Sequence, residues 1–213
     1  MDRSGRRAVR PQGLPAPGAP RLARRVSEQQ WLSISTHLPH GRPTSIRGAR
    51  LADPARCQRR VAQLLADHYR HSAYWLLFKR RLEPVLAAFE STDRLADVTE
   101  LSTRLLLEEV GWPGRILHSS DLLARGERSQ RLADLAWLTG ATTYLCGTGG
   151  MRYLDPAAFR VHLIEILPFH APALGMWASA WEVSAVHALM LVGPRALRRE
   201  LEALRGRVLA GVR

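Results

Sequence analysis

The chain is almost without lysine. Lys79 is the only one, and arginine supplies the other thirty of its 31 basic residues. Cysteine is nearly as scarce, with Cys57 and Cys146 alone and no C-x-x-C pair. That excludes a disulfide framework, and a reducing cytoplasm is the simplest setting. Long apolar runs are missing too. The longest candidates, around Leu163–Leu167 and Ala185–Val192, fall well short of the roughly 18 residues a membrane helix needs. Membrane insertion is therefore not expected. The start, MDRSGRRAVRPQG, has basic residues but no apolar h-region, so it is not a secretory signal. Pro11, Pro15, Pro17 and Pro20 spoil the amphipathic helix of a transit peptide. Acidic residues are sparse at this end. Residues 1–60 hold thirteen Arg against Asp2, Glu28 and Asp53, a net +10 out of +12 for the whole chain. Such an arm either attracts an anionic partner or is a solvated tail. No aromatic residue precedes Trp31, so the arm lacks the stacking side chains of single-strand binders, and nucleic acid is not the expected partner.

What is present suits a globular protein. The 213 residues are 46% apolar, enough for one good core. Residues 1–28, dominated by Pro, Gly and Arg, read as a disordered arm. Residues 29–213 read as a single α/β domain. WLSIST and SIRGARL alternate as strands do and predict an N-terminal β-hairpin. Asp53-Pro54 starts a helix carrying Val61, Leu64, Leu65, His68 and Tyr69 at helical spacing. A second helix is expected over 73–90, with Pro84 kinking or breaking it. A third, capped by Asp93, carries a stripe from Leu95 to Val110 and stops at Gly111. After this helical middle segment the pattern changes. RILHSSD is a short strand meeting a polar turn. RSQRLADLAWLTG is a helix with Leu132, Leu135, Ala136 and Trp137 inward. TTYLCG and VHLIEILPF are two further strands, separated by a glycine loop and the capped turn DPAAFR. This alternation predicts βαβ units and a small parallel sheet in the C-terminal half. Two helices divided by Gly193-Pro194 close the chain.

Parallel strands share one carboxyl edge, and ligands of open α/β sheets bind in the crevice outside it. Three loops would meet there. Ser119, Ser120 and Asp121 offer two hydroxyls and a carboxylate, or merely cap the next helix. Gly147, Thr148, Gly149 and Gly150 let backbone approach a ligand and point amides at an anion, or make a tight turn. Tyr153 and Asp155 follow on the same loop. His170 begins the third loop. Cys146 is either a nucleophile, with His118 or His170 as base, or a small core residue. The candidate catalytic set is Ser120, Asp121, Cys146 and His170. The candidate substrate-binding set is Ser119, Gly147, Thr148, Gly149, Gly150, Tyr153 and Asp155. The glycine spacing is neither a Walker loop nor a dinucleotide fingerprint. No H-E-x-x-H or H-x-H pair exists, no metal site is expected, and no cofactor is named by the sequence.

RILHSSDLLARGERSQRLADLAWLTGATTYLCGTGGMRYLDPAAF, followed by LIEILPF, resembles the WbqC-like protein family. The family's Tyr-Leu-x-Gly-x-Gly-Gly-x-x-Tyr-Leu motif is matched by Tyr144, Leu145, Gly147, Gly149, Gly150, Tyr153 and Leu154. SAVHALMLVG resembles its carboxyl-terminal helix, through Ser184, Leu189, Met190 and Gly193, and WLSIST resembles one of its strands. The similarity covers roughly residues 25–200. It implies a cytoplasmic biosynthetic enzyme of transferase type, taking an activated sugar or amino compound. Such proteins accompany gene clusters for bacterial surface polysaccharide (O-antigen) and some natural products. The implied partner is a small molecule, anionic ones included. The other reading is a non-catalytic protein that binds an anionic partner through its arginine arm. Family members begin with a strand, a Gln-Pro-x-x-x-Pro loop and a helix. PQGLPAPG does not match that loop, so either the true start lies upstream or this copy has lost its first strand–helix unit, and in the second case a sheet edge is exposed.

Overall fold

Asp53 shows how the sequence sets its first helix. Its carboxylate accepts the Arg56 amide at 2.9 Å, and Pro54 occupies the first helical position with no amide to leave unpaired. The computed structural model describes residues 30–126, 128–170, 172, 175–180 and 182–211, with side chains through 206. The predicted arm, residues 1–28, lies outside the described residues. In chain order the elements are β1 (Thr36–His37), β2 (Arg50–Leu51), α1 (Pro54–Tyr69), α2 (Trp75–Ser91), α3 (Leu95–Glu109), α4 (Arg128–Leu138), β3 (Thr143–Gly147), α5 (Pro156–Arg160), β4 (Glu165–Phe169), α6 (Ala185–Val192) and α7 (Pro194–Gly211). The class is mixed α/β, with a helical middle, an antiparallel N-terminal pair and a small parallel sheet. The residues fall into two compact units, one running to Leu105 and including Leu189–Gly193, the other holding Leu106–Ala188 and the residues from Pro194.

In the first unit the hairpin is present but short. β1 pairs with β2 through Thr36↔Leu51 and His37↔Arg50. The first half of the predicted second strand is instead a 3-10 turn, Ile46–Gly48, capped by the Ser45 hydroxyl. Trp31 stays exposed and outside any strand. α1 packs on α2, whose buried stripe runs Trp75, Phe78, Leu82, Val85 and Phe89. Of the two outcomes expected of Pro84, a kink or a break, the break does not occur, and α2 runs on through it. The proline sits on the exposed face between buried Leu82 and Val85. Solvent can satisfy the carbonyl it leaves unpaired, while its neighbours anchor both halves. The buried Ser72 hydroxyl donates to the Met190 carbonyl at 2.6 Å and ties Leu189–Gly193 into this unit.

The second unit is built on α4, β3, α5 and β4. β3 and β4 are parallel and paired from Thr143↔Glu165 to Gly147↔Phe169. α4 and α5 lie on one face of them. Ala133 and Phe159 are fully buried there with Ala136, Ala158 and Ile164, and Tyr144 and Ile166 pack against them. The Tyr144 and Phe159 rings are 4.9 Å apart. Gly140 ends α4 at φ 72°, and the Ala141 amide reaches back to the Ala136 carbonyl.

Two expectations change here. Arg115–His118 is not a strand, so the parallel sheet has two strands rather than three. The turn after this segment is fastened to α4 by arginines, and the segment makes no ladder with β3. The inward face of α4 is also different. Ala133, Asp134 and Ala136 are buried, whereas Leu132 is 37% and Trp137 57% exposed. Small alanines let the helix lie close to the sheet, and Asp134 is tolerated because it is fully paired.

Candidate functional site

Parallel pairing in register brings the carboxyl ends of β3 and β4 together. Cys146 lies beside Pro168 and Gly147 beside Phe169. The chain continues from these ends into Thr148–Gly150 and into His170. Two of the three predicted loops therefore share one edge. Phe169 at that edge is partly exposed, as is Leu145 one pleat back on the sheet face away from the helices.

The N-terminal half of α4 gathers the remaining residues. Ser129 Oγ accepts the Asp155 amide at 2.9 Å, while the Asp155 carboxylate caps α5 on the Ala157 amide at 2.9 Å. Arg131 donates to the Ser119 carbonyl at 3.1 Å and the Ala124 carbonyl at 3.2 Å. Both the Ser119–Asp121 turn and the end of the glycine loop are thus fastened to the start of one helix. Within the turn, the Ser120 hydroxyl donates to Asp121 Oδ1 at 3.1 Å, and His118 Nδ1 is 3.6 Å from Asp121 Oδ2. These are exposed groups with a hydroxyl proton already directed at a carboxylate, an arrangement suited to proton transfer.

Asp134 is the residue sequence reasoning missed. Arg125 Nε and Nη2 donate to its two oxygens at 2.8 and 2.6 Å, and the Arg125 amide adds a bond at 3.0 Å. Gln130 donates at 2.9 Å, and His162 Nε2 lies 3.1 Å from Oδ1, donating as a carboxylate partner requires. The Arg125 side chain and then its amide hold the Asp134 carboxyl well below the usual carboxylate range, against burial, which raises it. Trp137 stacks on His162 with ring centroids 5.4 Å apart. The fork from Arg125 neutralises Asp134, so the network fixes the loop ahead of α4. The available signal was a carboxylate on the alanine face of a helix.

Cys146 is buried, with its thiol donating to the Gly147 carbonyl at 3.5 Å. A Cβ on Gly150 would stand 2.8 Å from its sulfur, so these two residues are fitted to each other. Gly147 and Gly149 differ. A Cβ on either meets nothing within 4 Å, and neither has positive φ. Their surroundings leave both the space and the backbone geometry for a side chain. Among the described residues no group of three or more His, Cys, Asp or Glu could hold a metal ion. The surface also has a shallow depression of about 460 Å³, lined by Asp53–Ala55 and Phe89–Asp93. It lies in the first unit, and Asp53, Glu90 and Asp93 there are engaged with the Arg56 amide, Gln58 and Arg50.

The model of the WbqC-like protein family matches residues 21–198. The chain belongs to the WbqC-like protein family. No curated protein and no solved structure matches it. In this WbqC-like chain the glycine motif divides by role. Tyr144 and Leu154 pack on the α4–α5 core, and Gly150 makes room for Cys146. Gly147, which ends β3, and Gly149 are exposed, as is Tyr153 at 78%. No helix among the described residues is long and apolar enough to cross a membrane.

Proposed function

We propose that this WbqC-like chain is a cytoplasmic biosynthetic enzyme of transferase type. Its substrate is an activated sugar or amino compound used for bacterial surface polysaccharide or a natural product. The site lies at the carboxyl edge of β3 and β4. One observation carries the reading: Gly147 and Gly149 leave backbone bare at that edge although nothing around them excludes a side chain. Bare amides at a strand end suit the carboxylate, phosphate or carbonyl oxygen of a ligand. Thr148 and Gly149 supply those amides, Gly147 lets a ligand come close to the strand end, and Tyr153 stands at the far end of the loop. Ser120 and Asp121 handle the proton of an attacking hydroxyl or amine, with His170 entering from the end of β4. Cys146 is assigned to packing beneath Gly150 rather than to attack. Ser119 and Asp155 position the two loops through α4. The test is a thermal-shift screen with nucleotide sugars, acyl-CoA thioesters and amino acids. At least one class should stabilise the protein, and Ser120→Ala or Gly149→Ala should weaken that stabilisation at least tenfold in ligand concentration. Stabilisation that ignores both substitutions would remove the reading.

A further inference from the structure

The two edges of the β3–β4 ribbon are not alike. The Glu165 amide donates to the Thr142 carbonyl at 2.9 Å, and the register pairs Thr143 with Glu165. In a parallel ladder this fixes the alternation. Tyr144 and Cys146 direct their backbone groups at β4, while Thr143, Leu145 and Gly147 direct theirs outward. On β4 the outward positions are Ile166 and Pro168. Pro168 has no amide, so the β4 edge is blunted against further pairing. The β3 edge keeps all its outward donors and acceptors, and no backbone bond to them is seen among the described residues.

A strand-like segment precedes α4. Arg115–His118 has no regular assignment, and its Leu117 is 50% exposed. The turn after it, from Ser119 to Arg125, is already fastened to the N-terminal half of α4 by Arg131 and by the Arg125–Asp134 fork. In a strand–helix–strand unit the first strand ends where the helix begins, at the carboxyl edge of the sheet. The segment's far end is therefore anchored where a strand parallel to β3 would have to end. The roughly two dozen residues from His118 to Thr143, which include the 11 of α4, make a connection of ordinary length for a right-handed crossover.

We infer a second arrangement of the chain, in which Arg115–Leu117, undocked in this structure, lies on the outward edge of β3 as a third parallel strand, giving the order segment–β3–β4. Docking satisfies the outward amides of Leu145 and Gly147, covers Leu117, and sets Ser119 and Ser120 beside the glycine loop. The occupant is this segment, rather than a strand from a second copy, because its anchor is already in place.

Hydrogen exchange of the full chain tests this without any ligand, so its outcome is independent of the proposed chemistry. In the wild-type protein the Leu145 and Gly147 amides should exchange at least tenfold more slowly than unstructured amides. That corresponds to a docked form outnumbering the open one by about nine to one or more. Neighbours along a strand face opposite edges, so either Ile116→Pro or Leu117→Pro must remove a donor aimed at β3. At least one of the two should return Leu145 and Gly147 to fast exchange. Tyr144 and Cys146, which face β4, should stay protected and show that the ribbon is intact. Fast exchange at Leu145 and Gly147 in the wild type would overturn the inference. So would protection that survives both prolines, or protection that grows with protein concentration, which would assign the edge to a second copy.

Discussion

Gly149 and Gly150 are neighbours, yet alanine should act on them in opposite directions. At Gly150 the new Cβ would stand 2.8 Å from the sulfur of Cys146, closer than real Cβ contacts come. Cys146 is buried and pinned in β3, so the clash cannot be relieved by swinging a flexible side chain away. Overpacking of this kind costs about 1–3 kcal/mol. For a chain of this size that lowers the melting temperature by about 2–12 °C. At Gly149 the backbone is helical, φ −65° and ψ −42°, and the new Cβ meets nothing within 4 Å. Alanine there removes freedom from the unfolded chain and should stabilise by about 0.4–1 kcal/mol. Paired thermal and urea denaturation of the two variants measures both signs. Cys146→Ala should relieve Gly150→Ala, with a coupling of about 1 kcal/mol or more in the double-mutant cycle. Equal destabilisation by Gly149→Ala and Gly150→Ala would refute the reasoning. So would a cycle with no coupling.

Leu163 adopts φ 55° at the end of α5 and is 90% exposed, so it bears the left-handed cost without packing in return. Leu163→Gly should stabilise the protein by about 1 kcal/mol, since glycine meets no such cost, and a lower melting temperature would contradict that. The Asp134 carboxyl is depressed in the folded state, so its stabilisation is full above its ordinary value of 3.8 and is lost as the pH falls below it. The melting-temperature gap between wild type and Asp134→Asn should therefore be widest near neutrality and narrow from about pH 4 downward. A gap that stays constant to pH 3 would show that Asp134 acts by shape alone.

Local signals read correctly wherever the structure needed only local chemistry. Asp53-Pro54 starts a helix, Gly111 and Gly140 stop helices with positive φ, and Gly193-Pro194 divides the last two. TTYLCG and VHLIEILPF each contain one of the two strands, the second starting only at Glu165, and their parallel pairing puts Gly147 and His170 at one edge. What failed or stayed open depended on the far side of a contact. Pro84 left both a kink and a break open, because its exposed position is set by how α2 packs. Trp137 looked like core, but its ring lies over His162, a partner 25 positions away. Asp134 gave no local sign of its fork to Arg125, because the loop that returns Arg125 to the helix has no periodicity to read. Arg115–His118 has the pattern of a strand, but pattern alone does not decide whether a ladder closes.

On the proposed function, ligand meets backbone at the carboxyl edge of β3 and β4. Amide NMR of the labelled protein, titrated with the compound that gives the largest thermal shift, tests it most directly. The largest shifts should fall on Gly147, Thr148, Gly149 and His170, and Gly149→Ala, with its fold intact, should weaken binding at least tenfold. Shifts confined to the depression lined by Asp53–Ala55 and Phe89–Asp93, with Gly149→Ala binding as wild type does, would contradict it.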